Sequence, residues 1–249
     1  MGHFEYFDSK SYELNKNSKK GVLIIHGFSS STYETLPLGQ FLSKKGFRVS
    51  IPNLPGHGTT VEDCNATRYY EWLDFVEQKI AELSIDCDEL NVIGLSMGSV
   101  LSLYLAGLFP INRLIACATV LKFNNPFVIN YVIPLLNRII IKQKKFRDPV
   151  KQASKKYSGY DYYPLIALNE FRKLNKYVKK RLVRIKCPIL CIHSNADKLS
   201  IPENLNLILD SVSSKIKEKL IVDYATHHLF YDSKDRDLIF NTIYRFLED

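Results

Sequence analysis

Ser96 stands in Gly94-Leu95-Ser96-Met97-Gly98, and this pentapeptide carries more chemical information than any other part of the chain. The apolar run Leu90-Asn91-Val92-Ile93 precedes it, and the helix-like stretch Ser99-Val100-Leu101-Ser102-Leu103-Tyr104-Leu105-Ala106 follows. Strand, sharp turn and helix in that order make a nucleophile elbow, with the serine hydroxyl exposed at the apex of the turn. The glycines let the backbone turn without a side-chain clash. The helix N-terminus beneath the serine favours negative charge that develops beside it. The chemistry indicated is nucleophilic attack by a hydroxyl.

A serine hydroxyl is a weak nucleophile. It needs a base to take its proton and an acidic group to orient that base. For a serine on such an elbow, the acid and then the histidine follow in the chain. His3, His26 and His57 precede Ser96, while His193, His227 and His228 follow it. His193 falls within an apolar run and reads as a packed residue. His227 and His228 lie in Asp223-Tyr224-Ala225-Thr226-His227-His228-Leu229-Phe230, between the last strand and the last helix. That is a loop at the C-terminal edge of the sheet, where open α/β sheets bind ligands. Asp197 directly follows the run ending at His193. Asp223 competes for the acidic role, but it ends its strand rather than lying beyond it. An oxyanion needs backbone N–H donors where negative charge will appear. Met97, next to the nucleophile, is one candidate. Phe28, in His26-Gly27-Phe28-Ser29-Ser30, is the other. His26, and His57 in Pro55-Gly56-His57-Gly58, read as structural.

These residues need a scaffold that brings strand ends together. Apolar runs alternate with helical patterns, which predicts an α/β chain with a mostly parallel sheet flanked by helices. Strands are expected over 21–26, 47–52, 90–95, 114–120, 189–193 and 219–223. Helices are expected over 35–45, 68–83, 97–108, 203–211 and 235–248. Thr67 is a candidate N-cap, with Tyr70, Leu73, Val76, Glu77 and Ile80 at helical spacing after it. Residues 4–7 could add an antiparallel edge strand. Between Lys122 and Arg184 no strand followed by a helix is expected. The apolar stretch 127–141 is interrupted by Pro134 and polar residues, and reads as a broken helical segment. A basic, tyrosine-rich sequel follows it. The region is expected to form a helical cap packed over the substrate pocket.

The 249 residues suit one α/β domain with an insertion, and 46% hydrophobic content suits a packed core. No apolar run reaches the roughly 18 residues of a membrane span, and no apolar signal core opens the chain. Five scattered cysteines without C-x-x-C spacing argue against a disulfide framework or zinc site, and for a reducing, cytoplasmic location. Cys187 and Cys191 are expected on one face of their strand. The net charge of +8 is uneven: Lys122 to Lys186 holds 17 Lys/Arg and 3 Asp/Glu. Two readings stand: a solvated helical surface, or attraction to an anionic surface or ligand. No nucleic-acid partner is expected.

Val22-Leu23-Ile24-Ile25-His26-Gly27-Phe28, Pro55-Gly56-His57-Gly58, the elbow, and Cys187-Pro188-Ile189-Leu190 leading to Asp197 together resemble the α/β-hydrolases of the carboxylesterase and monoacylglycerol lipase group. Thr226-His227-His228-Leu229-Phe230-Tyr231-Asp232 completes the match. The resemblance covers 22–121 and 184–247. It implies an α/β-hydrolase core over 1–121 and 184–249, with a helical cap inserted over 122–183 after the strand ending near Val120. In the small bacterial carboxylesterases the catalytic histidine stands five residues before an aspartate. That spacing selects His227 over His228, with Asp232 as the marker. The implied enzyme is a serine esterase without metal or organic cofactor. It would act on short- to medium-chain acyl esters or monoacylglycerols through Ser96, Asp197 and His227, with Phe28 and Met97 as oxyanion donors. Other activities of the scaffold are the rivals: acyl transfer, or amide or carbon–carbon bond hydrolysis. A non-enzymatic binding protein is a further rival.

Overall fold

The computed structural model describes residues 9–145, 159–231 and 234–249. Its centre is a seven-stranded sheet of β1 (Tyr12–Leu14), β2 (Lys20–Ile25), β3 (Arg48–Ile51), β4 (Glu89–Leu95), β5 (Arg113–Cys117), β8 (Ile189–Ser194) and β9 (Lys217–Val222). Their order across the sheet is β1-β3-β2-β4-β5-β8-β9. All neighbours run parallel except β1, which pairs antiparallel with β3. β2 and β8 are almost wholly buried, as their continuous aliphatic runs require of strands covered on both faces. Edge strand β9 alternates in exposure along most of its length.

Period-two alternation divides the strand side chains between two apolar layers. Leu23 and Ile25 of β2 face the layer that holds Trp72, Val76 and Ile80 of α3 (Tyr69–Asp86) and Val100 of α4 (Met97–Ala106). Val22 and Ile24 face the layer of Leu38 from α1 (Leu36–Lys44) and Ile239 and Phe246 from the final helix (Arg236–Glu248). Fully burying one such aliphatic side chain contributes about 2 kcal/mol. The sheet thereby becomes a rigid floor for the loops at its C-terminal edge.

The chain runs outward from β2 to β3 and returns to β4 on the other side of β2. The strand order therefore reverses between β2 and β4, where Ile25 pairs with Gly94. The loops after these two strands carry Phe28 and Ser96. An open α/β sheet forms its ligand crevice at this switch point.

After β5 the chain makes a π-helical turn (Val128–Val132), then α5 (Ile133–Leu136) and a hairpin of β6 (Lys142–Lys144) with β7 (Tyr162–Pro164). β7 leads directly into α6 (Leu165–Lys179), a strand-to-helix step not expected from the sequence. Phe171, Leu174 and Val178 of α6 join the layer of α3 and α4. Asn65, at the end of α2 (Val61–Ala66), fastens this region down. Its Oδ1 accepts the N–H groups of Ile166 and Ala167 at 3.0 and 3.1 Å, and its Nδ2 donates to Ile141 O at 2.8 Å.

The expected elements occur with small shifts of their ends. The strand expected to reach Val120 stops at Cys117, because Ala118 turns to a φ of 44°. Thr67 does not cap α3. Its hydroxyl closes back on Asp63 O at 3.0 Å, and the Glu71 carboxylate accepts the Arg68 N–H at 2.6 Å instead. Cys191 is buried within β8, whereas Cys187 precedes the strand. The edge strand suggested at 4–7 lies outside the described residues; β1 holds the edge among those described. α7 (Glu203–Ser211) and α8 (Arg236–Glu248) complete the helices that follow β8 and β9. Among the described residues no helix is long and apolar enough to cross a membrane.

Candidate active site

The elbow forms because two glycines admit contacts that no other residue would. A Cβ on Gly98 would lie 2.1 Å from Ile25 O, and one on Gly94 would lie 2.3 Å from Gly98 O. α4 therefore starts pressed against the ends of β2 and β4. Ser96 sits between them at φ 59° and ψ −115°, a conformation costly for a residue with a Cβ. Its N–H donates to Cys117 O at 2.9 Å, which ties the turn to β5. The strain is sustained by surroundings that over-determine it.

Asp197 follows β8 in a tight turn. Its Oδ1 accepts the N–H groups of Leu199 and Ser200 at 2.8 and 3.0 Å, and its Oδ2 lies 2.7 Å from His227 Nδ1. Burial alone would raise the Asp197 pKa. The hydrogen bond and charge of His227 and the two backbone donors reverse this, so it lies below the ordinary carboxylate value. An ionised Asp197 favours the tautomer with the His227 proton on Nδ1, an arrangement in which Nε2 could accept a proton. The competing Asp223 is turned away, accepting from Asn195 Nδ2 at 2.7 Å. The loop carrying His227 is anchored by Asp235, whose carboxylate accepts the Tyr224 and Ala225 N–H groups at 2.8 and 2.7 Å. Sequence reasoning missed this anchor.

The neighbouring His228 has a different partner. Its Nδ1 lies 3.3 Å from Glu34 Oε2, while Glu34 Oε1 accepts the Gly27 N–H at 2.5 Å. Burial opposes ionisation of Glu34, but His228, His26 and the Gly27 amide outweigh it and lower its pKa to about 2. Glu34 closes a short 3-10 turn, Thr32–Glu34, and its buried position has no periodic signature in the sequence.

The Gly27–Phe28 peptide is held by His26. The Leu54 N–H donates to His26 Nε2 at 3.0 Å, so the ring proton is on Nδ1, which donates to Gly27 O at 2.9 Å. That bond polarises the same peptide unit whose N–H belongs to Phe28. Burial lowers the His26 pKa and keeps the ring neutral. His57 is likewise buried; burial takes its pKa down to about 3, and its Nδ1 donates to Pro55 O at 3.0 Å. His193 is buried in β8. Among the described residues, no protein acceptor takes the N–H of Phe28 or Met97.

Ser96, His227, Glu34, His228 and Phe28 line one cavity of about 380 Å³. Val120, Phe123, Ile129, Ile133, Leu168 and Phe171 form its apolar wall. Gln143, Lys145 and Tyr163 of the hairpin region line it as well. The arrangement joins a strained serine, a carboxylate-bound histidine and Phe28, whose amide has no protein acceptor among the described residues, on the wall of one largely apolar space. Asp232, whose spacing selected His227, lies outside the described residues.

The family described as Serine aminopeptidase, S33 (Hydrolase_4) matches residues 16–234. The chain is 31% identical over 229 residues to a thermostable monoacylglycerol lipase of Bacillus sp. (strain H-257), covering 87% of each chain. It is 25% identical over 236 residues to a carboxylesterase of Bacillus subtilis (strain 168), covering 94% of each. Among solved structures, a metagenome-derived lipolytic enzyme from work on LipS and LipT superposes with a TM-score of 0.88 at 26% identity, covering 96% of this chain and 97% of that one. The chain belongs to the Hydrolase_4 family, among the esterases and monoacylglycerol lipases of the α/β-hydrolase fold, and is a serine hydrolase.

Proposed function

We propose that this protein hydrolyses carboxylic esters with short- to medium-length acyl chains, or monoacylglycerols, through an acyl-enzyme. Ser96 Oγ attacks the ester carbonyl and passes its proton to His227 Nε2. Asp197 holds the His227 tautomer and stabilises the imidazolium. The carbonyl electron pair moves to oxygen, which the Phe28 and Met97 amides receive. The alcohol leaves with the proton from His227, and water repeats the sequence to free the acid. The observation that carries this reading is the opening of Ser96 and His227 into one cavity while Asp197 Oδ2 lies 2.7 Å behind His227. The apolar wall suits an acyl chain. The two relatives named for ester cleavage favour esters over amides.

The cap reading extends this. We take residues 1–121 and 184–249 as the hydrolase core and 122–183 as the cap. Val128, Ile129 and Ile133 face the cavity, while Phe127, Tyr131, Leu135 and Ile139 are exposed on the same segment. Arg138, Lys142 and Lys144 are exposed beside them. Apolar side chains flanked by cations suit contact with an anionic lipid surface that delivers acyl esters. All five cysteines are unpaired, which supports a reducing, cytoplasmic setting.

The test is a p-nitrophenyl ester series of rising chain length with a monoacylglycerol and an aminoacyl amide alongside. Ester turnover that peaks at short to medium chains and is lost in Ser96→Ala supports the reading. Turnover of the amide with no ester turnover contradicts it.

A further inference from the structure

The oxyanion loop is held from two sides. Upstream of the Phe28 amide, core groups grip Gly27: Glu34 takes its N–H at 2.5 Å and His26 donates to its oxygen at 2.9 Å. Downstream, the grip comes from the hairpin region. Lys145 Nζ donates to Ser29 Oγ at 2.8 Å, and the Tyr160 N–H donates to Ser29 O at 3.1 Å. Ser29 has a φ of 54°, a left-handed conformation that a non-glycine residue keeps only when its neighbours impose it.

Lys145 is suited to impose it. Its side chain is buried, unusual for lysine, and its Nζ lies 4.9 Å from the centre of the Tyr163 ring. Its own N–H donates to Asp161 O at 2.9 Å, continuing the pairing of β6 with β7. The Tyr160 hydroxyl donates to Gly56 O at 2.7 Å, which secures the residues leading into β7 to the core.

We propose that Lys145 is a positioning residue for hydrolysis: from the cap hairpin it fixes Ser29, and through Ser29 the direction of the Phe28 N–H toward the oxyanion. This rests on the ester-hydrolase reading above. Ser29 is the residue after Phe28, so rotation about its φ out of the left-handed region swings the Phe28–Ser29 peptide and thereby shifts the Phe28 Cα, to which the Phe28 N–H group is joined. A donor that is misaimed rather than removed costs less than the 10²- to 10³-fold typical of losing one.

The experiment compares Lys145→Met, Lys145→Arg, Ser29→Ala and the double variant Lys145→Met/Ser29→Ala on p-nitrophenyl butyrate. Lys145→Met is expected to lower kcat about 10- to 100-fold with KM within about threefold of wild type. Ser29→Ala should fall in the same range, and the double variant should be no slower than the slower single, because both act through one contact. Lys145→Arg should recover part of kcat. Unchanged kcat in Lys145→Met overturns the proposal, as does a rise in KM at wild-type kcat, or single losses that multiply in the double variant. If Lys145→Met fails to fold by circular dichroism, Ser29→Ala decides: wild-type kcat there overturns the proposal. Ester turnover by wild type, lost in Ser96→Ala, tests the underlying reading separately.

Discussion

His228 Nδ1 lies 3.3 Å from Glu34 Oε2, while the ring of its neighbour His227 is bound by Asp197. Two consecutive histidines, with ring centroids 6.0 Å apart, are thus held by carboxylates from opposite ends of the chain. Each histidine is committed to its own anion, and only the pair built on Asp197 follows Ser96 in the order nucleophile, acid, base, because Glu34 precedes Ser96. His227→Ala is therefore expected to lower kcat for a soluble ester by about 10³-fold or more. His228→Ala should lower it by less than about tenfold, through looser support of Glu34 and Gly27. Steady-state kinetics of the two variants check this; a reversed ranking would assign the base to His228.

Glu34 also makes stability depend on pH. Its folded pKa is lowered from 4.5 to about 2. A lowered carboxylate pKa contributes stability that is complete above the unfolded value and is lost as pH falls through the folded one. The loss should fall between about pH 5 and 2 and be on the order of 3 kcal/mol. Glu34→Gln should be less stable than wild type at pH 7, and the gap should narrow on acidification. Thermal melts at pH 7, 5 and 3 measure it. A constant gap would show that the Glu34 charge contributes nothing.

Backbone strain at Ser96 gives a prediction independent of catalysis. Alanine keeps the Cβ that is costly at φ 59°, whereas glycine removes it. Both Ser96→Ala and Ser96→Gly should be inactive, yet Ser96→Gly should be the more stable by about 1–2 kcal/mol. Equal urea midpoints would mean that the elbow stores no strain.

The exposed apolar and basic side chains between Phe127 and Lys144, in the proposed cap, predict a salt-sensitive interface. Activity on anionic vesicles should exceed that on neutral ones at low salt, and salt should erase the difference. Neutralising Arg138, Lys142 and Lys144 together should reduce the preference and leave turnover of a soluble ester within about twofold. Equal activity on both vesicle types at low salt would leave these residues as a solvated surface. Lys145 does not belong in this set, because it is buried against Ser29, and Arg147 lies outside the described residues.

The sheet was legible because its central strands are covered on both faces and read as aliphatic runs. The elbow, Asp197 and His227 were legible as positions because each directly follows a strand at the same sheet edge. What escaped was long-range and aperiodic. Glu34 meets His228 across 194 residues of chain. Lys145 meets Ser29 across 116, and a lysine in a basic stretch reads as surface until the fold buries it. Thr67 reads as a cap from the sequence because a threonine ahead of a helical pattern has the right chemistry. Here the preceding helix α2 claims its hydroxyl. The hairpin of β6 and β7 has only three residues per strand, too few for an alternating pattern to show.

The central claim is that Ser96 is the nucleophile of an ester hydrolase. Peptide mass spectrometry after stoichiometric treatment with a fluorophosphonate tests it most directly, with ester turnover followed in parallel. The account predicts one adduct, on the peptide containing Ser96, with activity lost in proportion to labelling and no adduct in Ser96→Ala. An adduct on another residue that tracks the loss of activity, or ester turnover near wild type in Ser96→Ala, would contradict it.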